Sequence, residues 1–238
     1  MPPGSAQELS AGQSAHEAAT AGSPALGHGR LGIDIPPSTH ALYESSKRTL
    51  DVTIALVLLV IAAPIVLAAS VAIVLTTRQN PLLVQRRVGL AGCSFPMLKL
   101  RTMRPGSGDE PNLPVASGDV FVSKVPRDPR VTAVGRILRR TSIDELPQVV
   151  NVLLGQMSLV GPRPALPEEV VRYPRAWHRR LAVKPGLTGL WQVSGRSDIA
   201  PRRRVAMDVV YIRRRSLGFD AAILIRTVAA AISMRGAW

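Results

Sequence analysis

Leu58-Leu-Val-Ile-Ala-Ala-Pro-Ile-Val-Leu-Ala-Ala69 is membrane-type sequence with a proline at its midpoint. It lies in a run without charge from Val52 to Leu75, long enough as a helix to cross the roughly 30 Å hydrocarbon layer of a bilayer. A proline inside a helix removes one backbone hydrogen bond and collides with the preceding turn. Pro64 divides the run into halves of 12 and 11 residues, and each half, about 17 Å long as helix, reaches only the middle of the bilayer. Lys47 and Arg48 precede the run, and Arg78, Arg86 and Arg87 follow it. Because Lys and Arg resist translocation, both ends favour the cytoplasmic side. A helix-break-helix hairpin that dips in and returns to the same face meets both preferences. A kinked spanning helix is the alternative, while a buried soluble helix fits less well because the apolar character runs all round.

Working outward, the 238 residues suit one sizeable domain, and the net charge of +14 calls for an anionic partner. Nucleic acid is disfavoured, since aromatic residues make up only 4% and single-strand binders interleave basic residues with stacking platforms. Cys93 is the sole cysteine, which excludes an internal disulfide and suits a reducing compartment. Three of the four histidines, His16, His28 and His40, lie in the N-terminal tail, leaving His178, so any metal should have oxygen ligands. The N-terminal residues lack the basic and apolar regions of a signal peptide, which places the catalytic part in the cytoplasm.

Residues 1–44, rich in Ala, Gly, Ser and Pro, read as a disordered tail. Residues 45–79 form the proline-broken membrane element, and 80–238 a cytoplasmic catalytic domain with interfacial helices. The expected fold class is α+β, mainly helical, with a small β-hairpin over Pro81–Arg101 in which alternation puts Lys99 and Arg101 on one face. A loop covers 104–119, and Thr132–Leu154 is helical with a break near Thr141-Ser142. A helix is expected over Glu168–Leu181, a loop over Lys184–Arg196, and one long helix from Arg202 to Trp238.

Within Thr141-Ser-Ile-Asp-Glu-Leu-Pro-Gln148, Ser142 and Glu145 have the spacing of a capping box, so a helix should begin there with Ser142 or Asp144 as its cap. Either register puts Asp144 at the positive end of a helix, which favours an ionised carboxylate and attracts phosphate. Such an aspartate can attack phosphorus, with Glu145 supplying an oxygen to Mg²⁺. For an isolated Asp-Glu pair, ordinary helix capping with acidic first-turn residues is the favoured reading. Lys99, Arg101, Arg139, Arg163 and Arg196 stand on turns, strand faces or Pro/Gly loops, where they could hold a diphosphate or simply face solvent.

Taken in order, these motifs make the chain resemble the bacterial sugar transferases, monotopic phosphoglycosyl transferases. The resemblance rests on Lys47-Arg48-x-x-Asp51, the broken apolar segment, Gln85-Arg-Arg-Val-Gly89, Lys99-Leu-Arg-Thr-Met103, Asp128-Pro-Arg-Val-Thr132 and Thr141–Gln148. Met157–Pro164, Lys184–Arg196 and Arg235-Gly-Ala-Trp238 complete it. It implies transfer of a sugar 1-phosphate from a UDP-sugar to undecaprenyl phosphate, with release of UMP, as the priming step of exopolysaccharide or other glycoconjugate assembly. Asp144 would be the nucleophile that carries a covalent phospho-sugar, and Asp144 with Glu145 would meet Mg²⁺. Lys99, Arg101, Arg139 and Arg196 would lie near the phosphates, with Pro162-Arg163-Pro164 shaping the site. Lys47, Arg48 and Pro64 would set a re-entrant anchor in the lipid of the inner membrane. Ala63 and Ser197 stand where the family usually has Ser and Asn. A homodimer stays open, and a non-catalytic basic scaffold on anionic lipid is the competing reading.

Overall fold

A computed structural model of the chain describes residues 41–104, 128–195 and 199–233. The tail up to residue 40, most of the loop expected at 104–119, Arg196, Ser197 and the C-terminal Arg235–Trp238 motif lie outside the described residues.

Helix α1 is Ala41–Thr77, 37 residues that run through Pro64 within a single set of helical bounds. The sequence reading expected the helix to break there. Proline withdraws one donor, and one missing bond does not end so long an apolar helix. Asp51, Ala55, Ala62, Ala69 and Ile73 are buried; at about 100° per residue they share one face. Large apolar side chains elsewhere on the helix stand exposed, including Leu56, Val60, Ile61, Leu67 and Leu75. Among the described residues this is the one helix long and apolar enough to cross a membrane.

Both ends of α1 rest on the same globular body. Near its start, Ala55 joins the main core with Phe95, Met97, Val149, Val152, Leu159, Tyr211 and Ile223. Near its end, Ala69 and Ile73 pack with Leu100 and Leu138. Arg48 donates from Nη1 and Nη2 to the carbonyls of Val152 and Leu153 at 2.7 and 2.8 Å. Lys47 pairs with Asp220 at 2.8 Å, and Asp51 accepts from the Leu159 amide at 3.1 Å. The two cations that the sequence reading assigned to membrane anchoring thus bind protein groups.

The β-hairpin is formed as expected. Strand β1, Leu82–Val88, pairs antiparallel with β2, Ser94–Leu100, in a register from Leu82↔Leu100 to Val88↔Ser94. The connection turns at Ala91 and Gly92, both at positive φ, and closes with the Gly89 amide on the Cys93 carbonyl. Pleating puts Leu83, Gln85 and Arg87 on the same face as their partners Lys99, Met97 and Phe95.

Helix α2, Ala133–Thr141, starts with the Thr132 hydroxyl accepting from the Gly135 amide and ends at Ser142, at φ 58°. A 3₁₀ turn, Ile143–Glu145, leads into α3, Gln148–Leu153. A second, parallel two-strand sheet pairs β3, Ser158–Val160, with β4, Gly186–Thr188. It was absent from the sequence reading because three-residue strands carry no period to read. The helix expected over Glu168–Leu181 divides at Pro174 into α4, Pro167–Val171, and a 3₁₀ segment, Arg175–Ala182. The loop expected over Lys184–Arg196 holds β4 and the short helix α5, Leu190–Ser194. The C-terminal stretch is two helices, α6 Pro201–Arg214 and α7 Leu217–Ser233, parted by extended Arg215. Ser216 supplies the new start, its hydroxyl accepting from the Phe219 amide.

Candidate active site

Asp144 and Glu145 sit on the 3₁₀ turn, half-buried, between α2 and α3. The expected capping box does not form. Ser142 is left-handed and makes no side-chain cap bond, and the N-cap of α3 falls on Pro147. The proline sets this boundary, since it lacks the N–H that would carry a helix back through Asp144. The carboxylates therefore occupy a tight turn just ahead of a helix.

Three elements bring cations to that turn. From α2, Arg139 reaches back with Nε on the Thr102 hydroxyl at 2.9 Å. Burial lowers its pKa, and the charges of Asp144 and Asp128 oppose that shift. From β2, Lys99 is pushed down to about 8, first by burial and then by Arg87, with Asp144 pulling the other way. From the loop after β3, Arg163 donates through Nη1 to Glu145 Oε1 at 3.1 Å. The Glu145 charge is the main cause that raises its pKa, and Asp144 adds to it. Lys99, Arg139 and Arg163 all interact electrostatically with Asp144.

The loop that presents Arg163 is pinned carbonyl by carbonyl. The Gly186 amide donates to Pro162 O at 2.9 Å, Arg180 Nη2 to Arg163 O at 3.3 Å, and Arg87 Nη1 to Pro164 O at 3.2 Å. Gly161 and Gly186 permit this close crossing, since a Cβ on Gly186 would stand 2.1 Å from the Gly161 amide nitrogen. Arg180 is itself buried, with Nε on Asp208 at 2.8 Å and Nη1 on the Tyr173 hydroxyl.

Of the residues singled out from sequence, Asp144, Glu145, Lys99, Arg139 and Arg163 come together. Arg101 follows the last residue of β2 and donates from Nε to Asn80 O at 3.0 Å. Arg196 lies outside the described residues. Sequence reasoning missed Arg87, which hairpin register places on the Lys99 face, and Asn151. Asn151 joins α3 to β2 by accepting from the Leu98 amide at 3.0 Å and donating to Pro96 O at 2.7 Å. The Gln85-Arg-Arg motif with strand alternation was the available signal for Arg87.

A model of the family described as bacterial sugar transferase matches residues 42–234. The chain belongs to the bacterial sugar transferase family. This sugar transferase is 39% identical over 214 residues to the exopolysaccharide production protein ExoY of Sinorhizobium fredii, covering 86% of this chain and 94% of that protein. It is 39% identical over 234 residues to the UDP-glucose:undecaprenyl-phosphate glucose-1-phosphate transferase of Caulobacter vibrioides, across 87% and 81% of the two chains. Against the undecaprenyl-phosphate galactose phosphotransferase of Salmonella typhimurium, identity is 41% over 199 residues, 81% of this chain and 41% of the relative.

Proposed function

We propose that this sugar transferase moves a sugar 1-phosphate from a UDP-sugar onto undecaprenyl phosphate through a covalent intermediate on Asp144, priming exopolysaccharide or related glycoconjugate assembly. The observation that carries the reading is the convergence of Lys99, Arg139 and Arg163, from three elements, on one aspartate. The names of relatives supply the substrate classes: UDP-glucose and undecaprenyl phosphate in one, undecaprenyl phosphate and galactose in another.

In the first half-reaction a carboxylate oxygen of Asp144 attacks the sugar-bearing phosphorus. The bridging P–O bond of the diphosphate breaks, and UMP leaves with the bridging oxygen. In the second, a phosphate oxygen of the lipid attacks the same phosphorus, forming the lipid diphosphate and freeing the Asp144 carboxylate. Neither step requires a protein acid or base, because nucleophiles and leaving groups are all anions. The work falls to charge neutralisation and positioning, which suits a site built from guanidinium and ammonium groups.

The donor set fits Mg²⁺ in part. Asp144 and Glu145 offer hard oxygens, and no group of three or more His, Cys, Asp or Glu able to hold a metal occurs among the described residues. Magnesium commonly takes one or two carboxylates and completes its shell with substrate phosphates and water. Those two residues would hold it, and it would supply neutralisation of phosphate charge.

Re-entrant insertion on the cytoplasmic face of the inner membrane belongs to the same reading. A helix with both ends packed on one globular body, and with exposed apolar side chains between, suits entry and exit on one side. The deciding experiment is Asp144→Asn in purified protein supplied with polyprenyl phosphate, Mg²⁺ and a panel of UDP-sugars. Wild type should release UMP and yield a quenched adduct of one sugar phosphate on Asp144, and the variant should do neither. Turnover retained by Asp144→Asn would refute covalent catalysis by this residue.

A further inference from the structure

Arg87 helps to pin the loop that presents Arg163, but that role uses little of its capacity to donate. Its Nη1 donates to Pro164 O at 3.2 Å and its Nη2 to Gln85 Oε1 at 2.8 Å. Its Nε is buried with no hydrogen-bond partner. A guanidinium has five N–H donors, and two bonds to neutral acceptors leave most of that capacity unused. Among the described residues no carboxylate lies within ion-pair distance of Arg87.

The surroundings add more positive charge. Lys99 shares the inner face of the hairpin and makes no hydrogen bond or ion pair among the described residues. Arg163 is the opposing charge that weighs most on Arg87, while Glu169, Glu145 and Glu168 favour its charged form. Burial and Arg163 together push the guanidinium down to about 10. A buried cation beside other cations is unfavourable unless an anion completes the cluster.

We propose that Arg87 is a substrate-contacting residue that works with Lys99 to hold a phosphoryl oxygen of the donor's diphosphate at the Asp144–Glu145 turn. Gln85 and Pro164 each take one N–H of its two Nη groups, which leaves the buried Nε as the donor without a partner. The hairpin register puts it on the same face as Lys99. This inference rests on the phosphoglycosyl transferase reading above and deepens it.

The test compares wild type with Arg87→Met and Arg87→Lys, each as full chain in detergent. Arg87→Met should lower kcat/KM for the UDP-sugar about 100-fold, the order found when one positioned donor to developing charge is removed. Its ligand-free melting temperature should hold or rise, because a buried unpaired charge has gone. UDP with Mg²⁺ should raise the melting temperature of wild type and leave that of Arg87→Met unmoved. Arg87→Lys should recover part of the activity, and it serves as the readout if Arg87→Met fails to fold.

Unchanged kcat/KM in Arg87→Met, or activity lost only in step with a lowered melting temperature, would overturn the proposal. So would a raised KM for polyprenyl phosphate with the UDP response intact, which would assign Arg87 to the acceptor. Failure of the parent reading looks different: wild type itself would release no UMP.

Discussion

Asn151 accepts a hydrogen bond from the Leu98 amide at 3.0 Å, and its side-chain amide donates to Pro96 O at 2.7 Å. This buried side chain pairs with the edge of β2 as another strand would, and so fixes α3 against the strand that carries Lys99. The distance from Lys99 to the Asp144 turn depends on that joint. Asn151→Leu would leave the part-buried Leu98 N–H and Pro96 C=O unmatched, at about 1–3 kcal/mol each where water does not reach them. Denaturant unfolding should register a loss of up to about 6 kcal/mol, and kcat at a temperature where the variant is folded should fall at least several-fold. A variant with unchanged stability would show that water replaces the amide.

Lys99 gives the site a pH dependence with a definite sign. Its ammonium is pushed down to about 8, chiefly by burial. A base with a depressed folded-state pKa binds fewer protons folded than unfolded, so stability rises with pH between about 8 and the unfolded value near 10.4. Diphosphate binding runs the opposite way, since it needs the charged form. The expected profile is kcat/KM falling as pH rises through about 8 while the ligand-free protein becomes no less stable. In Lys99→Arg the alkaline limb should move up by more than one unit, because arginine stays charged. A limb that stays in place would assign it to another group.

How much of this was readable beforehand divides along physical lines. The hairpin announced itself through β-type runs around glycines, and α1 through unbroken hydropathy, because both signals are local. The Asp144-Glu145 pair was found by its motif and misread as geometry. Ser142 has a capping residue's identity, but Pro147 decides where α3 begins. Lys47 and Arg48 read as membrane-anchoring cations because flanking charge is a statistical rule about membranes. Their partners, Asp220 and the carbonyls of Val152 and Leu153, are distant in sequence and invisible to any local pattern. β2 stops at Leu100, so strand alternation does not by itself settle the face of Arg101.

The Arg180–Asp208 pair anchors the loop that aims Arg163. Asp208 Oδ2 accepts from Arg180 Nε at 2.8 Å, with both side chains buried, and Oδ1 has no partner. Burial pushes the Asp208 carboxyl up to about 6 against the pull of Arg180. A raised folded-state pKa means that the folded protein holds this proton more tightly, so ionising Asp208 costs stability as pH rises from about 4 to about 6. Removing the partner outright is worse than the pair's own strain. Asp208→Ala should destabilise by about 3–5 kcal/mol, because Arg180 is left buried and uncompensated. The double variant Asp208→Leu/Arg180→Met should recover much of that loss in denaturant unfolding. Activity should not recover with it, since Arg163 O loses its donor; full activity in the double variant would show that the loop holds its shape without Arg180.

Topology is testable because α1 makes a demand on the bilayer that few helices make. Its first turns are fixed to Leu159 and Asp220, and its last to Leu100 and Leu138, while the exposed apolar residues lie between. If the helix crossed the membrane, Asp51, Arg48 and Lys47 would leave buried partners in order to reach the far side. Each abandoned polar group would cost about 1–3 kcal/mol, and more where it is charged. On the re-entrant reading the N-terminal tail therefore stays in the cytoplasm. A Ser5→Cys substitution in a Cys93→Ser background allows a direct measurement with a membrane-impermeant maleimide. Intact spheroplasts should show no labelling, and inverted vesicles should label fully. Labelling of intact spheroplasts would place the tail in the periplasm and replace the re-entrant helix with a spanning one.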